Sequence, residues 1–303
     1  MPLFRRDKQP EPDGALPLDR RRADRLRDLA RQAFASQGVA VEVRPDHVVD
    51  GSGQQYFLWN IAANLASQPD AEWLEVLTAY AASVIAPDDP DALGVEELRA
   101  ATYLRIQPDD AIFDPVRHPT APSPAPGLRT LLAVDLPTTV SIPDESWWAD
   151  RGEVADWREV GLRNLAGLVG RLDFELLRMA EENYDFRVLM GDSFFTASLA
   201  LQLPAVLAAY DQGADASRGV LVAMPFRHQL AWRALDSPTA IPTVNALAGF
   251  AVNGESDGAG PVSPHVYFVR EGRWQQLTRR APDGSLTVEV TAEFQEALES
   301  LVG

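Results

Sequence analysis

Apolar residues recur at a helical spacing near the start of the chain and then change to a period of two. Asp19, a residue type that favours helix N-caps, precedes the helical stripe, and Gly38 follows it. From Val39 apolar and polar residues alternate, and residues 50–53 separate two apolar runs as in a hairpin. We therefore predict a helix after Asp19 and a small antiparallel sheet after Gly38. The helical stripe consists of Ala23, Leu26, Leu29, Ala30, Ala33 and Phe34.

Prolines divide the middle of the chain. A helical pattern covers about residues 71–85, and residues 103–106 form a short strand-like run. The twenty residues 108–127 then contain six prolines, which neither continue a helix nor pair in the middle of a sheet. We predict a proline-rich connector over 108–127, and we place the best domain boundary of the chain there.

The second half mixes strand-like and helical runs without a regular βα alternation. This pattern favours an α+β fold with mixed or antiparallel sheets and packed helices over a doubly wound sheet. The predicted strands are 131–136, 174–179, 186–190, 219–225, 265–269, 274–277 and 286–290, and the predicted helices begin near Asp156, Phe194, Pro242 and Ala292. The second and third of these helices are expected to end near Tyr210 and Val252, with a loop over 253–260.

The domain plan follows from these elements. Residues 1–18 have several prolines and few apolar anchors, so we predict a disordered N-terminal tail. Residues 19–107 form one predicted α+β lobe. Residues 128–303 form a second one beyond the connector.

The composition restricts the compartment and the partners. The chain of 303 residues has no cysteine, which excludes disulfides and thiolate chemistry and fits a reducing, cytoplasmic location. It contains neither a signal-peptide pattern nor an apolar run of the length that spans a membrane. The net charge is −17, and a body this acidic repels nucleic acid. We therefore expect a protein partner, and a basic one in particular. The sequence contains no cofactor motif, so we expect no cofactor.

Three blocks in the second half resemble a known family. They are residues 131–137, residues 186–193, and residues 219–225 running into Phe226, Arg227, His228 and Gln229. In this order they are similar to the YtpQ-like family of uncharacterised bacterial proteins. The resemblance implies a bacterial protein of the cytosol, with 128–303 as the family domain. It supplies no reaction, because the family has no assigned catalytic residues.

The motif Gly191-Asp192-Ser193 stands between a predicted strand and a predicted helix. GDSL-type esterases carry their nucleophile in such a setting, with backbone N–H groups beside the serine. Here Phe194 replaces the usual leucine, and no Asp-x-x-His motif follows. The residues that a hydrolase would use are Ser193, with Asp192 beside it and His228 as the base. In the other interpretation, Asp192 or Ser193 only caps the next helix.

Three further groups of residues are examined as possible binding sites. The histidines at 47, 118, 228 and 265 are too widely spaced for a local metal pair, so we predict no metal site. Arg227 and His228 follow an apolar strand, where ligand sites often lie. Trp147, Trp148 and Trp157 alternate with acidic residues over 144–159 and would suit a cationic or protein ligand, or pack at the start of a helix.

We therefore expect a non-enzymatic protein-binding or regulatory module that uses an acidic, partly aromatic surface. A serine hydrolase that uses Ser193 is the enzyme alternative. A structural subunit of a larger assembly is the second alternative.

Overall fold

The fold is α+β, built from antiparallel sheets and packed helices. A computed structural model of the chain describes residues 11–109, 113–237, 240–281 and 286–301. The chain divides into two compact units, Met1–Asp88 with Asp257–Ala259, and Asp89–Ser256 with Gly260–Gly303. Every strand pair among the described residues is antiparallel. Within this part of the chain, no helix has the length and apolar character needed to cross a bilayer.

The first unit contains the predicted helix and hairpin. Its elements are α1 (Arg20–Ser36), β1 (Val41–Val43), β2 (His47–Asp50), β3 (Gln55–Phe57), α2 (Trp59–Leu65) and α3 (Trp73–Ile85). Asp19 caps α1 by accepting the backbone N–H of Arg22 at 3.0 Å. The apolar stripe of α1 is buried against α3, as its spacing predicts. The short helix α2 was not predicted.

The end of the predicted disordered tail is part of the fold. Residues 1–10 lie outside the described residues, but residues 11–18 pack onto the first unit. Leu16 and Leu18 are buried in its core. Asp13 accepts two bonds from the guanidinium of Arg27, at 2.7 and 3.0 Å. The prediction of a tail over 1–18 is therefore wrong for its last eight residues, because two leucines and one buried ion pair anchor them.

The second unit begins well before the predicted boundary. Its first elements are α4 (Val95–Ala101), β4 (Thr102–Pro108), β5 (Leu128–Asp135), β6 (Val140–Ser141), α5 (Glu145–Ala149) and α6 (Val154–Leu168). β4 pairs with β5 along its whole length, so residues 108–127 connect two neighbouring strands of one sheet. The chain divides near Asp88 and not at 108–127. Residues 110–112 of this loop lie outside the described residues.

A six-stranded sheet forms the centre of the second unit. Its order is β12-β11-β9-β10-β8-β7. The strands are β7 (Glu175–Ala180), β8 (Asp185–Met190), β9 (Val220–Ala223), β10 (Gln229–Ala234), β11 (Val266–Arg270) and β12 (Arg273–Gln276). β9 lies between two neighbours and is buried on both faces: Val220 and Val222 face one core, while Leu221 and Ala223 face another. This placement confirms the interpretation of the apolar run at 219–225.

The remaining elements cover this sheet. They are α7 (Leu203–Tyr210), α8 (Ala240–Asp257), β13 (Thr278–Arg280), β14 (Leu286–Val288) and α9 (Ala292–Glu299). One face packs against α7 and a 3₁₀ segment, Ala197–Gln202, which also contacts β4. The other face packs against α8 and α9. The predicted hairpin at 265–277 and the last helix are confirmed.

Three helix bounds differ from the predictions, two of them for identifiable reasons. The segment 194–210 is not one helix: turns and the 3₁₀ segment precede α7, because Pro204 lacks an N–H and fits only in a first turn. The predicted loop at 253–260 is helical as far as Asp257. Gly254, which suggests a loop in the sequence, is needed for packing, since a Cβ there would lie 2.7 Å from Pro225. α6 begins at Val154, two residues before the predicted cap Asp156.

Candidate functional site

The Gly191-Asp192-Ser193 motif forms a turn after β8. The backbone N–H of Phe195 donates to the Ser193 hydroxyl oxygen at 3.2 Å. The hydroxyl of Thr196 donates to the Ser193 carbonyl at 2.9 Å. Ser193 thus stabilises the turn that leads into the 3₁₀ segment, whose own N-cap residue is Thr196, so this serine bonds within a turn and does not cap a helix. Asp192 is exposed at this turn.

His228 lies next to this turn, and both of its ring nitrogens are hydrogen-bonded. Nδ1 is 3.1 Å from the carbonyl oxygen of Gly191, and Nε2 accepts a bond from Arg227 Nε at 2.8 Å. Because a carbonyl oxygen only accepts, Nδ1 carries the proton and the imidazole is neutral. Burial, and to a smaller extent the charge of Arg227, lower the pKa of His228 to about 4. The ring therefore has no nitrogen left to act as a base for Ser193.

Arg227 is held by contacts on several sides. Its guanidinium carbon lies 4.3 Å from the ring centre of Phe194, which is a cation–π distance. Its backbone N–H donates to the Gly260 carbonyl at 2.9 Å. Gly260 has φ +69°, and a Cβ there would lie 2.8 Å from Arg227 Cδ, so only glycine leaves room for the arginine side chain. Arg227 uses Nε on His228, which leaves its two terminal nitrogens as donors.

Arg105, in the middle of β4, is a charged residue that the sequence analysis did not single out. The side chain is half-buried, and its Nε is completely shielded from solvent without a hydrogen-bond acceptor. Burial lowers the pKa of Arg105 to about 10. An arginine in an otherwise apolar strand run, Leu104-Arg105-Ile106, is the sequence signal that could have identified it.

Backbone bonds connect Arg105 to the segment that contains Arg227. The N–H of Ile106 donates to the Ser198 hydroxyl at 2.9 Å, and the N–H of Ala197 donates to the Arg227 carbonyl at 3.0 Å. Burial, and to a smaller extent the nearby charge of Arg105, lower the pKa of Arg227 to about 10. We call the group formed by Arg105, Arg227 and His228 the Arg105–Arg227 site.

Within the described part of the chain, no carboxylate balances the charge of this site. Both arginines remain protonated at neutral pH, because a pKa near 10 is still far above 7. Among the described residues, no aspartate or glutamate forms an ion pair with either guanidinium, although the chain has 44 acidic residues. Asp192 acts on His228 only through its charge, as the smallest of the effects on that pKa. The site can therefore accept an anionic group.

The three tryptophans of the predicted acidic surface do not lie together on the surface. Trp148 and Trp157 are buried, 1% and 3% exposed, and they pack against each other in the core beside β4 and β5. The large aromatic side chains at these two positions are explained by packing in the core at the start of a helix. Trp147 is only half-buried, and its indole N–H donates to Asp91 at 2.9 Å while Arg151 lies over its ring.

The other histidines are separate from the site and from one another. His47 Nδ1 lies 2.7 Å from Asp46, and His265 Nδ1 lies 3.2 Å from the Thr278 hydroxyl. His118 lies in the proline-rich loop, where burial lowers its pKa. Across the described residues, no cluster of three histidine or acidic side chains has the arrangement of a metal site.

Comparison with known proteins adds nothing to this geometry. No family model, no curated protein and no solved structure matches the chain. The likeness to the YtpQ-like family accordingly stays a prediction. The function of the site has to be inferred from its own residues.

Proposed function

We propose that the protein is a non-enzymatic binding module, and that the group it binds is an anion held between Arg105 and Arg227. The single observation that carries this proposal is the pair of neighbouring, partly buried guanidiniums that have no carboxylate partner among the described residues. The proposal keeps the binding or regulatory role expected from the sequence. It replaces the acidic aromatic surface with a cationic site.

The energetics of burial support this proposal. Removing a charged group from water costs roughly several kcal/mol unless a counter-charge and hydrogen bonds compensate for the lost hydration. A folded chain normally pairs such an arginine with one of its own carboxylates. Elsewhere this protein does so: Arg233, which is similarly buried, contacts Asp185 and Asp236. At the Arg105–Arg227 site no described carboxylate fills this role, and a bound anion would supply the missing negative charge.

The charge of the whole protein restricts how an anion reaches the site. With a net charge of −17, the body repels anions at long range and does not steer them in. Affinity must come from short-range bonds to the two guanidiniums. This favours a ligand, or a partner protein, that presents one local anionic group over a polyanion such as nucleic acid. We also propose that binding takes place in a reducing, cytoplasmic compartment, on the basis of the cysteine-free composition.

The hydrolase alternative finds little support in the geometry. A serine nucleophile needs a positioned base, and the ring nitrogens of His228 are occupied by Gly191 and Arg227. The Ser193 hydroxyl instead accepts a backbone bond within its own turn. Labelling with a serine-reactive fluorophosphonate tests this directly. We expect no modification at Ser193, and stoichiometric labelling that Ser193→Ala abolishes would restore the hydrolase.

Anion binding tests the proposal itself. Isothermal titration calorimetry at low salt would use inorganic phosphate, succinate and acetate as probes with the full chain. We expect at least one of them to bind, and Arg105→Met and Arg227→Met each to weaken binding by about tenfold or more, since each loses charge-assisted hydrogen bonds. Arg163→Met is the matched control, because Arg163 is exposed and pairs only with Glu159. If no probe binds, or if the control weakens binding as much as the site variants, the proposal fails.

A further inference from the structure

We infer that the Arg105–Arg227 site selects a doubly charged phosphoryl group, such as a phosphate monoester, over a singly charged anion. This inference rests on the proposed function, since it names the class of anion. It is drawn from the number of charges in the site, from the donors that remain available and from the state of the neighbouring imidazole.

The described residues place two positive charges in the site. Arg105 and Arg227 each contribute one, while the hydrogen bonds of His228 fix its ring in the neutral form. The carboxylate beside the site, Asp192, is exposed and pairs with neither arginine. A singly charged ligand would leave one buried guanidinium without compensation, whereas a dianion matches both. A phosphate monoester carries a charge of about −1.5 to −2 at pH 7.

The available donors also favour a phosphoryl group. Arg227 comes from the loop between β9 and β10, and Arg105 comes from β4 in a different sheet. The two terminal nitrogens of Arg227 donate to no described residue, and neither do the nitrogens of Arg105. Two separate guanidinium forks offer more donors than the two oxygens of one carboxylate can use. The three terminal oxygens of a phosphate monoester can accept from both forks.

His228 orients Arg227 and carries no charge itself. Its Nε2 accepts from Arg227 Nε, which fixes the plane of that guanidinium, while Phe194 supports the same group from one side. Among the described residues, the titratable and charged groups at the site are thus the two arginines, His228 and Asp192. Between pH 5 and pH 7.5 the arginines stay charged and His228 stays neutral, since its pKa is lowered to about 4. A change of affinity in this window then reports the ionisation of the ligand.

The test compares methyl phosphate with dimethyl phosphate, acetate and succinate by calorimetry at pH 5 and pH 7.5. Methyl phosphate loses its second proton near pH 6, while dimethyl phosphate remains a monoanion of the same tetrahedral type. We expect the affinity for methyl phosphate to rise about tenfold between the two pH values, in step with the dianion fraction. Dimethyl phosphate and acetate should bind at least tenfold more weakly at pH 7.5. Arg105→Met should remove this preference.

The possible failures are distinguishable. Equal affinity for methyl phosphate, dimethyl phosphate and acetate at both pH values would overturn the inference and leave the proposed anion site intact. Succinate binding as tightly as methyl phosphate would show that charge alone is selected, which overturns the phosphoryl assignment. Absence of binding by all four probes would overturn the inference and the proposed function together.

Discussion

The backbone N–H of Ile106 donates to the hydroxyl oxygen of Ser198 at 2.9 Å, inside the protein and across 92 residues of sequence. Ser198 is 1% exposed and belongs to the 3₁₀ segment after the Gly191-Asp192-Ser193 turn. This bond fixes β4 against that segment, and Arg105 is the residue before Ile106. The position of Arg105 relative to Arg227 therefore depends on a serine that contacts no ligand.

Ser198→Ala is expected to lower both stability and anion affinity. The substitution leaves the buried N–H of Ile106 without an acceptor, which costs about 1 to 3 kcal/mol. Urea unfolding measures the first effect and phosphate titration the second. Ser217→Ala serves as the control, because Ser217 is exposed in a loop, and it should change stability by less than about 0.5 kcal/mol. A Ser198→Ala protein that is as stable as the control would contradict the importance of this bond.

The imidazole of His228 is expected to titrate far below an ordinary histidine. Burial is the main cause that lowers its pKa to about 4. The unfolded chain takes up this proton near pH 6.5, about two units higher, so this group makes folding stability fall as the pH drops through that window. Ring-proton NMR shifts of His228 across pH 3.5 to 8 give its midpoint. A midpoint near 6.5 would show that the ring is solvated and that its bonds to Gly191 and Arg227 do not persist.

Asp13 is expected to stabilise the first unit in a pH-dependent way. The hydrogen bond from Arg27 is the main cause that lowers the pKa of Asp13, against the opposing effect of burial. A carboxyl whose pKa is lowered on folding stabilises fully above its unfolded pKa, about 4, and loses this contribution as the pH falls through the folded value. Asp13→Asn should therefore cost about 1 to 3 kcal/mol in urea unfolding at pH 7, with the deficit shrinking toward pH 3.

A matched variant separates the Asp13 effect from a general loss of charge. Asp28 pairs with Arg31 on the exposed side of α1, so Asp28→Asn should have a small effect at either pH. Limited proteolysis provides a second readout, because residues 11–18 should become cleavable only when Asp13 is replaced. Equal resistance of both variants to protease would argue against an anchoring role for the Asp13–Arg27 pair.

Arg22 is expected to stabilise the first unit through its shape as well as its charge. Its guanidinium donates to the carbonyls of Leu65, Ala66 and Gln68 at the C-terminal end of α2, and to Asp70. Lysine keeps the charge but lacks the planar fork, so Arg22→Lys should lower stability by about 1 to 3 kcal/mol. Arg21→Lys, at an exposed position one residue earlier, should be neutral. Thermal unfolding of the two variants makes the comparison, and equal melting temperatures would contradict this role.

Much of the fold could be predicted from local patterns. The α1 stripe, the hairpin of β2 and β3 and the apolar run of β9 follow directly from local sequence patterns, and all three are confirmed. The errors arise where long-range packing decides the outcome. Residues 11–18 are held by the ion pair of Asp13 with Arg27. The proline-rich segment 108–127 is the connection between β4 and β5, which pair with each other. Neither contact leaves a periodic signal in the sequence.

The site was predictable only in part, for the same reason. Arg227 and His228 were singled out because they follow an apolar strand, and the structure places them together with Ser193 and Asp192 around one turn. Arg105 lies 122 residues away from Arg227 in the sequence and reaches it only through the packing of β4 on the 3₁₀ segment. Trp148 and Trp157 resemble surface residues in the sequence because acidic residues surround them, yet both are core residues.

The most direct measurement of the central claim is the thermal unfolding of wild type and Arg105→Met, each with and without phosphate. Methionine fills similar space without a charge, so the account predicts that Arg105→Met is more stable than wild type in anion-free buffer, by roughly 1 kcal/mol or more. Phosphate should raise the melting temperature of wild type, and the same phosphate concentration should raise that of Arg105→Met much less, because this variant binds phosphate more weakly. A less stable Arg105→Met protein, together with a wild type whose melting temperature is insensitive to phosphate, would contradict the claim that this arginine is kept for an anion.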